Sequence, residues 1–267
     1  HIRYVPLVHE DPRATCLDGF DDATEVAIGG GFVCVLRRSG AIQCLSAPDP
    51  VEGRRRRSDQ PRVTRMRIPA ARSIAGGLGG VCAVTRRGEV HCWGGYGDQE
   101  GRRPENRALR VRGISNATGV AFAQFHGCAI LADRSVRCFG EGAATQFGTG
   151  PDDERYYEIG ELVEPLGLGP TRAIAVENFG GCALSMEGIV RCWGEHAAIP
   201  SSSTYMPTPT RIPSLDGSQW ITMSEREVVC GGTADGAVRC AGQSEAGVLG
   251  DGSRTATPAS VRATQFE

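Results

Sequence analysis

The chain contains no lysine; all 29 of its basic residues are arginine. That excludes a Schiff-base lysine and the lysine of a phosphate-binding P-loop. A GC-rich genome would account for the bias. Long apolar runs are also missing, and no stretch approaches the roughly 20 residues that a spanning helix needs. No signal sequence is visible at the start, His1, so a mature or truncated form is expected. Neither sign of charge dominates. The arginines face 31 acidic residues, a formal net charge of −2. This argues against nucleic-acid binding, which needs basic charge to neutralise phosphates. The five histidines, His1, His9, His91, His126 and His196, are scattered. No nucleophile elbow, H-E-x-x-H or glycine-rich phosphate loop stands in its required context. No catalytic residue, metal site or cofactor is expected.

What the chain does have is cysteine in register. The stretch Cys182–Gly194 reads C-A-L-S-M-E-G-I-V-R-C-W-G, and its pattern recurs four more times. The pairs are Cys34/Cys44, Cys82/Cys92, Cys128/Cys138, Cys182/Cys192 and Cys230/Cys240, each ten positions apart. Their first members are separated by 48, 46, 54 and 48 residues, a period of solenoids and propellers. Within a unit, Cys34-Val35-Leu36-Arg37 and Ala41-Ile42-Gln43-Cys44 flank Arg38-Ser39-Gly40. A short loop ending in glycine suits a turn that closes in the left-handed region. The resulting hairpin sets Leu36 opposite Ile42 and Cys34 opposite Cys44, within disulfide reach. The equivalent aliphatic pairs are Val84/Val90, Ile130/Val136 and Leu184/Val190. The fifth copy is weaker, with Gly232 opposite Val238.

Within-hairpin disulfides are the expected state of these cysteines, with buried thiols and a metal site as the competing readings. Zinc sites favour closer spacings. Five bridges would place the chain in an oxidising compartment: secreted, periplasmic or at the cell surface. Cys16, the eleventh cysteine, has no counterpart. A short apolar stretch precedes each pair, and a Gly/Pro/Ser-rich segment with room for another strand follows it. That makes about four strands per unit, the size of a propeller blade. Residues 1–25 are a candidate outer strand for a blade completed by the C-terminus.

These residues resemble a known family. The unit I-A-x-G … C-A-L … x-G-x-V-x-C-W-G … G-x-L-G-D-G is similar to the repeat of the regulator of chromosome condensation proteins, in a bacterial, disulfide-bearing form. Gly247–Ser253 with Thr257-Pro258 matches the repeat's tail, Gln146–Gly150 is a second match, and His126 fits the family's histidine two before the first cysteine. The resemblance implies an all-β propeller over residues 1–267. The family commonly has seven blades and this chain has five units, so the expectation is five four-stranded blades or an open arc from a larger ring.

The loops after each second cysteine vary in length and chemistry while the hairpins do not. Equivalent loops of a propeller open on one face. That face is expected to bind a protein or extended polymer through Arg54, Arg55, Arg56, Arg57, Tyr96, Tyr156, Tyr157 and Tyr205, since Tyr and Arg are enriched at hot spots. The resemblance adds inhibitors of β-lactamases, which bind a protein with one propeller face. Alternatives are a lyase or glycan-active enzyme with a loop-built site, and nucleotide exchange on a small GTPase, which an oxidising compartment disfavours. Trp93 and Trp193, just after their second cysteines, read as core. Gln43, His91, Arg137, Arg191 and Arg239 read as a polar belt on the side away from the cysteines.

Overall fold

The computed structural model describes residues 2–4, 15–17, 19–46, 62–94, 108–195, 205–224, 228–242 and 261–262. The repeat units become five four-stranded antiparallel sheets. Blade 1 consists of Ala23–Gly29, Phe32–Arg37, Ile42–Ser46 and Arg62–Arg65, from the inner strand outward. Blade 2 follows with Ala71–Gly77, Gly80–Thr85, Val90–Gly94 and Leu109–Arg110. Blade 3 is built from Ala117–Phe122, His126–Leu131, Val136–Gly140 and Leu162–Val163. Blade 4 comprises Thr171–Glu177, Gly180–Ser185, Val190–Glu195 and Tyr205–Arg211. Blade 5 comprises Trp220–Ser224, Val228–Gly232, Val238–Ala241 and Val261–Arg262. Its outer strand therefore comes from the C-terminal residues. The N-terminal segment, expected to help complete a blade, instead pairs with itself, Ile2–Tyr4 against Thr15–Leu17, with Cys16 opposite Arg3.

The hairpin register is the expected one. Cys34 opposes Cys44 and Leu36 opposes Ile42, with the same alignment in every copy. All five disulfides are formed. Four hairpin turns close on glycine with φ between 82° and 89°; in the third, Arg134 takes that position at φ 69°. Asp133 stabilises this turn by accepting hydrogen bonds from the amide and hydroxyl of Ser135. Four belt residues, Gln43, His91, Arg137 and Arg191, are partly buried and Arg239 is exposed; three have partners within their own blades. Arg137 pairs with Glu164 at 2.6 Å, His91 lies 3.5 Å from Glu89, and Gln43 accepts from Arg37 at 2.6 Å.

Packing between blades follows one rule, applied four times. The disulfide face of each blade is covered by the opposite face of the next. Cys34, Cys44, Leu36 and Ile42 pack against Val81, Ala83 and Trp93. Cys82 and Cys92 meet Ala129 and Phe139; Cys128 and Cys138 meet Ala183 and Trp193; Cys182 and Cys192 meet Val229 and Ala241. The residue after each second cysteine is thus the lid on the preceding disulfide, so both tryptophans are core, as expected. Leu45, in blade 1, has no preceding disulfide to cover and packs with Phe20 and Val35.

The ends of the series break the rule. The inner strands pack in chain order from blade 1 to blade 5, and no comparable packing joins blade 5 to blade 1 among the described residues. Val26 and Ile28 of the first inner strand are 50% and 69% exposed, whereas their counterparts Ile74, Val120, Ile174 and Val176 are partly buried on a neighbour. At the other end Cys230 and Val238 are only partly buried. The described blades form an open arc.

Candidate functional site

Each inner strand runs from the hairpin-turn side of the arc to the opposite side. There a tight turn returns the chain to the second strand. The turns of blades 1 to 4 centre on Gly30-Gly31, Leu78-Gly79, Gln124-Phe125 and Asn178-Phe179. The strands that carry each second cysteine end on this same side, and the described blade-3 insertion starts there. The inner turns crowd together. A Cβ on Gly30 would collide with the Leu78 carbonyl, and one on Gly79 with the Gln124 carbonyl. Glycine is required at both positions by this close approach of backbones.

Three of these turns carry a large apolar side chain into solvent. Leu78, Phe125 and Phe179 are 49%, 51% and 48% exposed, one on each of three successive blades. Their backbones are pinned. The Phe125 carbonyl accepts from Glu141 N at 3.0 Å and the Phe179 carbonyl from Glu195 N at 3.1 Å. Glu177 Oε1 accepts from the Phe179 amide at 2.9 Å, and Gln146 Nε2 donates to the Asn178 carbonyl at 2.7 Å. Apolar groups on a fixed backbone lose little freedom on binding.

The blade-3 insertion forms the rim. Gly142–Ala143 pairs with Tyr156–Tyr157 around a short helix, Ala144–Phe147. Phe147 is fully buried between His126 and Tyr157, with ring centroids 5.3 and 5.2 Å away. Trp193 Nε1 donates to the Gln146 carbonyl at 3.0 Å, tying the insertion to blade 4. Beside it lies an open depression of about 640 Å³ lined by Thr149, Gly150, Asp152, Asp153, Arg155 and Leu166, among others. Arg155 grips Asp153 through two 2.9 Å hydrogen bonds, and the Tyr157 hydroxyl donates to Asp153 Oδ2 at 2.7 Å. The Arg155 guanidinium also lies 4.8 Å from the Tyr157 ring centroid.

The two adjacent tyrosines therefore have different roles. Tyr156 is 64% exposed and remains a surface aromatic; Tyr157 is 5% exposed and packs in the core, so its expected place at the binding surface is corrected. Strand alternation sends neighbours to opposite sides. Tyr205 is exposed at the start of the blade-4 outer strand, opposite Glu195 on the same side of the arc. Arg54, Arg55, Arg56, Arg57 and Tyr96 lie outside the described residues. The inner-turn residues Leu78, Phe125 and Phe179 did not figure among the sequence candidates. Their signal was a large apolar residue in the short turn that blade 1 writes as Gly30-Gly31.

The insertion's polar network gives a pH prediction. Hydrogen bonds from Arg155 and then Tyr157 hold the Asp153 carboxyl well below its usual range. Burial, reinforced by the Asp153 acceptor, pushes the Tyr157 phenol up. A depressed carboxylate stabilises above its unfolded pKa of about 4, and that contribution fades as pH falls towards the folded value. A raised phenol contributes fully below about 10 and is lost as pH rises through its folded value. The difference between the phenolate titrations of the parent protein and Tyr157→Phe should show Tyr157 ionising above the usual phenol range. Asp153→Asn should bring it down towards that range. Titration of Tyr157 within the usual range in the parent protein would contradict this network.

No protein-family model matches the sequence, and no curated protein matches it significantly. The fold has clear counterparts among solved structures. Human WBSCR16 superposes with a TM-score of 0.71 at 19% identity, over 91% of this chain and 67% of its own. Prp20, the yeast RCC1, in its complex with Kap60 gives 0.73 at 16% identity over 91% and 61%. Prp20p from Saccharomyces cerevisiae, described with its binding to Gsp1p and histones, gives 0.73 at 17% over 91% and 63%. The chain thus spans about two-thirds of the length of these proteins or less, and its fold is that of an RCC1-like β-propeller.

Proposed function

We propose that this chain is a non-catalytic binding module that takes a protein partner on the side carrying the inner turns and the blade-3 insertion. The observation that carries the reading is the row of Leu78, Phe125 and Phe179, half-exposed on pinned turns of three adjacent blades. Apolar and aromatic anchors on a rigid backbone are what hot spots are made of, and a polar rim keeps water from them. The depression at Thr149–Arg155, with Tyr156 and Tyr205, supplies such a rim. Five disulfides suggest an oxidising environment, and we place the module outside the cytoplasm, secreted, periplasmic or surface-held. Protein partners of the similarly folded Prp20p, Kap60, Gsp1p and histones, lend support to a protein-binding role.

The test uses the oxidised chain as bait and the Leu78→Ser/Phe125→Ser/Phe179→Ser variant beside it. Met186→Ser, exposed at the blade-4 hairpin turn on the opposite side, is the control. Loss of a hot-spot anchor costs about 2 kcal/mol or more, roughly thirtyfold in affinity. A partner of the parent chain should be lost by the triple variant and kept by the control. Equal binding by the triple variant, with its disulfides intact, refutes the assignment.

A further inference from the structure

The hairpin-turn side of the arc has a different chemistry. Hairpin turns contribute Arg38 from blade 1 and Arg86 and Arg87 from blade 2. The connections between blades contribute Arg67 and Arg112, and the start of the blade-2 inner strand contributes Arg72. All six are exposed. Arg38 and Arg86, 48 apart in sequence, become neighbours through the repeat: Arg86 Nη2 donates to the Arg38 carbonyl at 3.2 Å. Within blade 2, Arg72 Nη2 donates to the Arg86 carbonyl at 2.5 Å. Backbone carbonyls thus fix two blade-2 guanidinium groups, one of which reaches across to blade 1.

None of the six forms a direct ion pair with a carboxylate among the described residues, and only Arg38 lies in the field of one, Asp22. The nearby acids are engaged elsewhere. Asp22 pairs with Arg37, Glu89 with Arg110 and His91, and Asp133 accepts from Ser135. Asp21 also has a partner of its own. The equivalent turns of blades 4 and 5 carry Met186-Glu187 and Ala234-Asp235, so the basic sector belongs to the first part of the arc. A chain with a formal net charge of −2 has therefore gathered unpaired arginine onto one sector of one side. Like charges held together raise the energy of the free surface and favour an incoming anion. Each guanidinium keeps further donors in a fork that matches a carboxylate or sulfate.

We propose that this sector binds a linear anionic polysaccharide. Two observations favour that class. The arginine-bearing turns expose no large apolar side chain, whereas the opposite side exposes Leu78, Phe125 and Phe179. A protein partner needs apolar or aromatic anchors at the interface centre, and a polymer with an anion on each unit does not. Five disulfides also set the chain in an oxidising environment, where nucleic acid is not the resident polyanion. The sector is separate from the proposed protein-binding side, so both can be occupied at once.

Polygalacturonate, a carboxylated polymer, and heparin, a sulfated one, are the probes, titrated onto the oxidised full chain at graded salt. Binding to at least one should weaken steeply with salt, because bound arginines displace counterions. Arg67→Gln/Arg87→Gln/Arg112→Gln removes three guanidinium groups that make no described hydrogen bond, so the fold is spared. It should lose at least tenfold in affinity and show a shallower salt dependence. Arg72→Gln/Arg86→Gln should do the same, while Arg211→Gln, whose parent side chain is paired with Asp216 on blade 4, should not. The assignment is overturned if neither polymer binds at low salt, if the triple variant binds like the parent, or if polyglutamate or single-stranded DNA binds more tightly than both polysaccharides. Which of the two polymers binds more tightly identifies the anion.

Discussion

Brief reduction of the native protein, followed by thiol alkylation and peptide mapping, should label Cys230 and Cys240 well before the other eight disulfide cysteines. Exchange requires a thiolate to reach a disulfide sulfur. The eight cysteines of blades 1 to 4 are fully buried, each pair covered by the next blade. Reaching them requires blades to separate, a sub-global opening with a free-energy cost of its own. Among the described residues no further blade covers the fifth disulfide, and Cys230 is only partly buried. Its hairpin is also the poorest in side chains, with Gly232 opposite Val238 where other copies place two aliphatic residues. At least a tenfold difference in rate is expected, equivalent to about 1.4 kcal/mol of opening cost. Equal labelling of all five pairs would mean that the interior disulfides are not shielded as the packing rule requires.

That rule explains how much of this fold could be read in advance. Cysteines ten apart, with glycine closing the turn in four of the five hairpins, specify a register, because a slip of one residue would turn every side chain to the wrong side. The strands and disulfides follow. The lid role of Trp93 and Trp193 was visible as periodicity, although its target, the preceding disulfide, was not. What escaped was non-periodic or scattered. Tyr157 looks like Tyr156 in sequence, yet the insertion folds back so that Asp153, Arg155 and Phe147 enclose it. Leu78, Phe125 and Phe179 sit in turns that read as spacers. For basic residues, sequence reading favours a contiguous run such as Arg54–Arg57. The arginines of the opposite side are dispersed, and only the stacking of blades brings them together. Binding surfaces on a repeat protein are written across repeats, one or two residues in each.

Replacing Trp193 by alanine should be the most destabilising single change among the lids. Trp193 is fully buried and packs with Cys128, Cys138, Phe147 and Ala183. Truncation removes its transfer energy and leaves a cavity, typically about 3–5 kcal/mol for a buried aromatic. It also removes the part-buried hydrogen bond from Nε1 to the Gln146 carbonyl, a net loss of about 0.5–1.5 kcal/mol. Trp93 offers an internal comparison. It occupies the equivalent lid in blade 2 and is almost as buried, but its Nε1 has no hydrogen-bond partner among the described residues. Trp93→Phe should therefore cost little beyond lost area, while Trp193→Phe should cost the hydrogen bond as well. Denaturant midpoints of the four variants, with all disulfides intact, measure these differences. The loss at Trp193 should also reach the candidate site. Gln146 ties the insertion to Trp193 through its carbonyl and to the Asn178 carbonyl of the next inner turn through its side chain. Trp193→Ala should therefore loosen the insertion and bring the Tyr157 titration back towards the usual phenol range. Trp93→Ala should leave that titration unchanged. If both alanine variants move it equally, the insertion answers to global stability rather than to this tether.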